Sequence, residues 1–199
     1  MPPGSVTALR GDVADPLHRA ELLSAVEGHG RLDLLVNNAS SLGPSPLPLL
    51  RHYPLDQLAE VFEVDVLGPL ALLQLHRHLL VAGAGTVVNI TSDAAVEAYE
   101  GWGGYGSAKA ALDQLSAVLA QEEPALSVYA FDPGDMRTEM HQAAFPGEDI
   151  SDRPAPETVV PALLELVNSR PASGRYRAKD LLTTADAMVV GAVSAEDSR

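Results

Sequence analysis

Tyr105 and Lys109 stand four residues apart in a stretch with helical periodicity, so their side chains share one face of a helix. A phenol titrates at about 10 and is a poor proton donor or acceptor at neutral pH. An ammonium one turn away favours the phenolate and moves its pKa toward the working range. That is a way to build a proton donor and acceptor for a carbonyl/alcohol pair. Alone, the pair fits equally well an interface tyrosine beside a solvated lysine. Ser92 follows the apolar run 86–91 (TVVNIT), thirteen residues before Tyr105. Its hydroxyl could hydrogen-bond the oxygen that Tyr105 protonates, whereas an isolated serine there reads as a turn or cap.

The elements that must position these residues alternate along the chain. Strands are expected over Ser5 to Leu9, Leu32 to Val36, Thr86 to Thr91, Ser127 to Phe131 and Arg175 to Leu182. Leu32 to Val36 reads as a strand buried on both faces. Asp15 and Pro16 open a helix with Leu17, Leu22, Leu23 and Val26 as its apolar stripe, closed by Gly28 to Gly30. Further helices are expected from Leu55 to Leu80, broken at Gly68-Pro69, from Tyr105 to Gln121, and from Glu157 to Val167. The stretches Asn37 to Pro48 and Met136 to Pro156 read as loops, the second as a substrate lid. This alternation predicts an α/β fold, a parallel sheet with helices on both faces. Such sheets hold ligands at the carboxyl ends of their strands. Asp12-Val13, Asn37-Asn38-Ala39, Ser92 and Pro133-Gly134 all fall at those ends.

The 199 residues suit one domain with a continuous core, expected over 1–185, with a loose tail over 186–199. There is no cysteine, so disulfides, thiolate nucleophiles and cysteine metal sites are excluded. Thirteen basic residues against 27 acidic ones give a net charge of −14, which argues against nucleic acid or an anionic membrane surface as partner. No apolar stretch reaches a membrane span and the first residues lack signal-peptide features, so a cytoplasmic protein is expected. His76 and His78 are two apart on a helix and point in different directions, which leaves no metal site.

On Asp12, Asn37-Asn38-Ala39-Ser40, Ser92, Tyr105-x-x-x-Lys109, and Pro133-Gly134 with Thr138, the chain resembles the short-chain dehydrogenase/reductase family over essentially its whole length. The resemblance implies a Rossmann-like doubly wound sheet and hydride transfer between NAD or NADP and a small carbonyl or alcohol. It makes Tyr105 the general acid/base, Ser92 the group that holds the substrate oxygen, and Lys109 the group that lowers the tyrosine pKa and binds the nicotinamide ribose. Asp12 and the neighbouring Val13 would contact adenine. Asn37, Asn38 and Ala39 would support sheet and cofactor, while Pro133, Gly134 and Thr138 would cover the nicotinamide. It also implies a homodimer or homotetramer formed through the two long helices.

Two departures stand out. Asp65 occupies the place of the family's asparagine in a proton relay, where a carboxylate could hold the water or pair with Lys109 and weaken its push on Tyr105. The family's first two strands, first helix and glycine-rich cofactor turn have no counterpart, so an N-terminally truncated version of the fold is expected. The strand Ser5 to Leu9 should then pair beside Leu32 to Val36 or be poorly held, leaving an apolar sheet edge. A non-catalytic remnant acting as a binding or oligomerisation partner is the alternative. Gly101 to Gly106 (GWGGYG) matches a dinucleotide fingerprint literally but lacks the preceding strand, and reads as a flexible approach to the Tyr105 helix. Arg137 reads as a helix-start salt bridge rather than a phosphate ligand.

Overall fold

Asp15 is extended and its carboxylate accepts the Leu17 amide at 2.9 Å, which starts helix α1 (Pro16–Glu27) at the proline. The computed structural model describes residues 6–182. Leu17 is not part of the packed stripe of α1. It is exposed, and His18 is buried in its place beside the half-buried Leu22, Leu23 and Val26. Residues 6–10 form no strand, so of the two outcomes expected, pairing beside Leu32 to Val36 is not the one seen, and Val6 is 92% exposed.

Four parallel strands, β1 (Leu34–Asn37), β2 (Thr86–Ile90), β3 (Ser127–Asp132) and β4 (Gly174–Arg177), pair in the order β1-β2-β3-β4. Alternate residues of the central strands face opposite layers. Val87 and Val128 pack with Leu73, Leu80 and Leu119, which belong to helices α3 (Gly68–Gly83) and α4 (Gly103–Glu122). Val88, Tyr129 and Phe131 pack on the other side with Ala162 and Leu166 of helix α6 (Val160–Ser169). This two-sided cover is the one read from the alternation, and it fits the doubly wound Rossmann-like sheet that the resemblance implies. β1 lies at the edge, so the run expected to be buried on both faces leaves Leu34 and Val36 more than a third exposed.

The long helix expected from Leu55 to Leu80 is interrupted earlier than Gly68-Pro69. Helix α2 (Leu55–Phe62) runs into a π-turn over Glu63–Leu67, and the Gly68 amide reaches back to the Glu63 carbonyl. Pro69 has no amide proton, so the chain widens before it rather than at it. This turn carries Asp65 into the interior with no exposure.

Within the expected lid, Thr138 Oγ1 accepts the His141 amide at 3.1 Å and starts the short helix α5 (Glu139–Ala144). The last strand is shorter than expected. Residues 178–182 are helical, and Ala178 is buried in the cluster with Val88 and Phe131. The tail expected over 186–199 lies outside the described residues. Among the described residues no helix is long and apolar enough to cross a membrane.

Candidate active site

Ser92 follows β2 in extended conformation. Its hydroxyl accepts the Ala94 amide at 3.2 Å and donates to Asp93 Oδ1 at 2.9 Å, opening a 3-10 turn over Asp93–Ala95. Gly106 lets this turn sit directly on α4, because a Cβ there would lie 2.7 Å from the Ala94 carbonyl oxygen. Ser92 and Tyr105 therefore line one cavity of about 240 Å³ at the carboxyl end of the sheet. Tyr105 is buried, with Trp102 against it edge-on at 5.8 Å between ring centres.

Lys109 follows one turn later. Its side chain is 3% exposed, and Nζ donates to the Ile90 carbonyl at 3.0 Å and lies 3.0 Å from Asp65 Oδ1. The ammonium also sits 5.4 Å above the centre of the Tyr105 ring. Asp65 accepts from the Ser40 hydroxyl and from the Ser41 amide, the latter at 3.1 Å. The π-turn thus ties the loop after β1 to the helix that carries Tyr105 and Lys109.

The Tyr105 pKa is raised, first by burial and then by the Asp65 carboxylate, while hydrogen bonds with Ser40 and Ser92 act in the lowering direction. Of the two places open to Asp65, holding a water or pairing with Lys109, the structure shows the pair. A carboxylate in contact with the ammonium acts on the phenol in the opposite direction.

Asn38, Pro133, Gly134 and Thr138 join Ser92, Tyr105 and Lys109 in the lining. Gly134 has φ +76 with open space where a Cβ would point, and its amide donates to Asp132 Oδ1 at 3.0 Å. Asn37, Asp12, Val13 and Ala39 are not in this lining. Asn37 is buried inside the sheet, where Nδ2 donates to Asn89 Oδ1 at 2.7 Å, and Asn89 passes a bond on to Ser116 of α4. Val13 and Ala39 flank a separate hollow of about 40 Å³. Asp12 is exposed and accepts the Ala14 amide at 2.8 Å ahead of α1.

The glycines of the GWGGYG run are close-packing residues rather than a flexible approach. A Cβ at Gly103 would collide with Leu50, and one at Gly104 with the Tyr53 ring, so the run offers no phosphate cradle. Arg137 makes no salt bridge with the helix start; its guanidinium donates to the Ser151 carbonyl at 3.3 Å.

Arg175 carries a role the sequence did not announce. Its Nη2 donates to the Ser92 carbonyl and to Asp132 Oδ2, each at 2.9 Å, and its Nε to Asp113 Oδ2 at 3.0 Å. One guanidinium on β4 thereby joins the serine, the strand end before Pro133-Gly134, and α4. Ser40 was legible only as the end of the Asn-Asn-Ala-Ser motif, and its bond to Asp65 was not.

Comparison with known proteins gives the family. Residues 3–149 match the family model described as short chain dehydrogenase. Sepiapterin reductase of Mus musculus is 38% identical over 132 residues, which cover 62% of this chain and 50% of the relative. 2-(R)-hydroxypropyl-CoM dehydrogenase of Xanthobacter autotrophicus is 34% identical over 155 residues, 74% of this chain and 61% of the relative. A short chain dehydrogenase from Shigella flexneri, solved in complex with NADP, superposes with a TM-score of 0.75 at 27% identity, covering 87% of this chain and 73% of that one. The chain belongs to the short-chain dehydrogenase family. It spans 50% and 61% of the length of the two curated relatives named here.

Proposed function

We propose that this chain is an NAD(P)-dependent oxidoreductase that interconverts a carbonyl and an alcohol, with Tyr105 as general acid/base. The observation that carries the reading is the shared cavity of Ser92 and Tyr105 beside the buried Lys109. In the reducing direction Tyr105 gives its proton to the substrate oxygen, and in the oxidising direction it takes that proton back. Ser92 holds the same oxygen, its carbonyl fixed in turn by Arg175. A bound nicotinamide supplies or takes the hydride at the substrate carbon.

The residues present fit the nicotinamide end of such a cofactor. Gly134 leaves open space for a ring to approach the backbone, Pro133 and Thr138 flank it, and Lys109 lies within the same lining to meet the ribose. Asn38 borders that end, Asn37 and Ala39 brace the sheet edge beside it, and Asp12 and Val13 are the proposed adenine contacts. Asp65 acts on the proton chemistry through Lys109. The NADP of the Shigella neighbour supports trying NADPH first. The reading includes a cytoplasmic homo-oligomer built on the stretch from α2 to α3 and on α4, where Val81 and Val118 are exposed.

The test is Tyr105→Phe in the full chain. Turnover should fall by about 10²–10⁴-fold, the contribution of a positioned acid/base, while NADPH binding is retained. Retained turnover overturns the assignment. Titration with NADH and NADPH separates this reading from a non-catalytic assembly partner, which would oligomerise without binding either.

A further inference from the structure

The lining residues are of two unlike kinds, and together they describe what the cavity accepts. One part is apolar and aromatic: Leu42, Trp102 and Met140 belong to it, and Trp102 packs edge-on to Tyr105 and at 6.0 Å, tilted, to Phe145. These residues belong to a cluster with Leu47, Ala143 and Ala144 that holds the indole in place. The other part is acidic: Asp93, Asp132 and Asp135 belong to the same lining, where among the described residues Lys109 is the one ammonium or guanidinium.

That cation is already committed, at 3.0 Å from Asp65 and bonded to the Ile90 carbonyl. Asp132 is likewise held by Arg175 at 2.9 Å. Asp93 accepts from the Ser92 hydroxyl and, at 3.0 Å, from the Tyr99 hydroxyl. Asp135 keeps 60% side-chain exposure in the lining, loosely faced by His141 at 3.9 Å and Arg153 at 3.8 Å. Among the described lining residues a ligand bearing its own anion would meet three carboxylates, one committed ammonium and the ring of His141, and a charge left unpaired is costly to desolvate. An aryl ring on the carbonyl would instead meet the indole edge and the methionine, contacts favourable beyond simple area burial.

We infer that the substrate is an uncharged ketone or aldehyde with an aryl ring beside the carbonyl, and that compounds carrying a carboxylate, phosphate or sulfonate are rejected. This rests on the reading of the cavity as a carbonyl site. Selection against anions is built in by Asp93 and Asp135, and selection for aryl groups by Trp102.

The experiment uses the full chain, NADPH, and three probes: 4-methylacetophenone, 4-acetylbenzoate and cyclohexyl methyl ketone. Turnover is followed as NADPH oxidation. Binding is followed separately by quenching of Trp102, the sole tryptophan of the chain, corrected for probe absorbance. 4-Methylacetophenone should exceed each of the others in kcat/KM by about 30-fold, and it should quench Trp102 at concentrations where 4-acetylbenzoate does not. Asp135→Asn should raise the 4-acetylbenzoate value relative to 4-methylacetophenone by about 3-fold or more. Trp102→Leu should bring the aryl and cyclohexyl ketones within about 3-fold of each other. Comparable turnover of the acid or the cyclohexyl ketone overturns this inference and leaves the oxidoreductase reading standing. Selective quenching without turnover by any probe supports the binding preference and overturns that reading. Absence of both quenching and turnover overturns the two together.

Discussion

Lys109 Nζ lies 3.0 Å from Asp65 Oδ1, with both side chains buried, and 5.4 Å from the centre of the Tyr105 ring. The ammonium therefore serves the carboxylate first. Asp65→Asn removes the negative charge that helps hold the Tyr105 pKa up and leaves the ammonium to act on the phenol alone. The sign follows: the phenolate forms at lower pH than in the parent chain. Alcohol oxidation, which needs the phenolate, should gain about several-fold at neutral pH, and its rising limb should move to lower pH. An unchanged pH–rate profile would remove Asp65 from the account of the proton step.

Arg175→Ala leaves the Asp132 carboxylate, 5% exposed, without its partner and frees the Ser92 carbonyl. Breaking a fully buried pair costs about 3–5 kcal/mol. Arg175 retains 26% exposure, so a loss of about 2–3 kcal/mol is expected by chemical denaturation. Because Ser92 is also released, kcat should fall by about 10-fold even where the protein remains folded. Arg175→Lys, which keeps the charge but not the fork, should recover stability more than rate.

Gly106→Ala tests the seat of the serine turn. The added methyl would lie 2.7 Å from the Ala94 carbonyl oxygen, so the Asp93–Ala95 turn must move off α4. A destabilisation of about 1–3 kcal/mol is expected, together with a drop in kcat, since Ser92 rides on that turn. Gly28→Ala, where a Cβ meets nothing within 4 Å, is the control and should leave both unchanged.

Asn37 and Asn89 face each other in register across β1 and β2, joined at 2.7 Å. Asn37→Ala leaves a buried acceptor unpaired and should cost about 1–3 kcal/mol. A double-mutant cycle with Asn89→Ala should return a coupling of about 0.5–3 kcal/mol, as for residues of one network. With β1 at the sheet edge, hydrogen exchange of its amides should quicken before that of β2 and β3.

The sheet was legible because each local signal agreed with its neighbours. Apolar runs at 86–91 and 127–131 alternate with helical stretches, and a parallel sheet with two covered faces follows from that alternation. Asp15 and Pro16 announced α1 through chemistry confined to one turn. Val6 to Leu9 carried the same strand-like composition and made no strand. A strand is completed by a neighbour, and composition does not say whether one is there. The last strand was overextended for a related reason, since Ala178 is drawn into the core by residues of β2 and β3.

The candidate site divides along the same line. Tyr105 and Lys109 could be placed together from their spacing alone, because one helical turn fixes their geometry, and Ser92 followed from the end of a strand. The electrostatics belonged to the tertiary structure. Asp65 reaches Lys109 across 44 positions of chain, and Arg175 reaches Asp132 across 43 and Ser92 across 83. Coulomb and desolvation energies depend on separation and burial in space, which spacing along the chain does not encode beyond a turn or two. The types and order of the reacting groups were thus determined by the sequence, while the folded interior decided which charge each of them answers to.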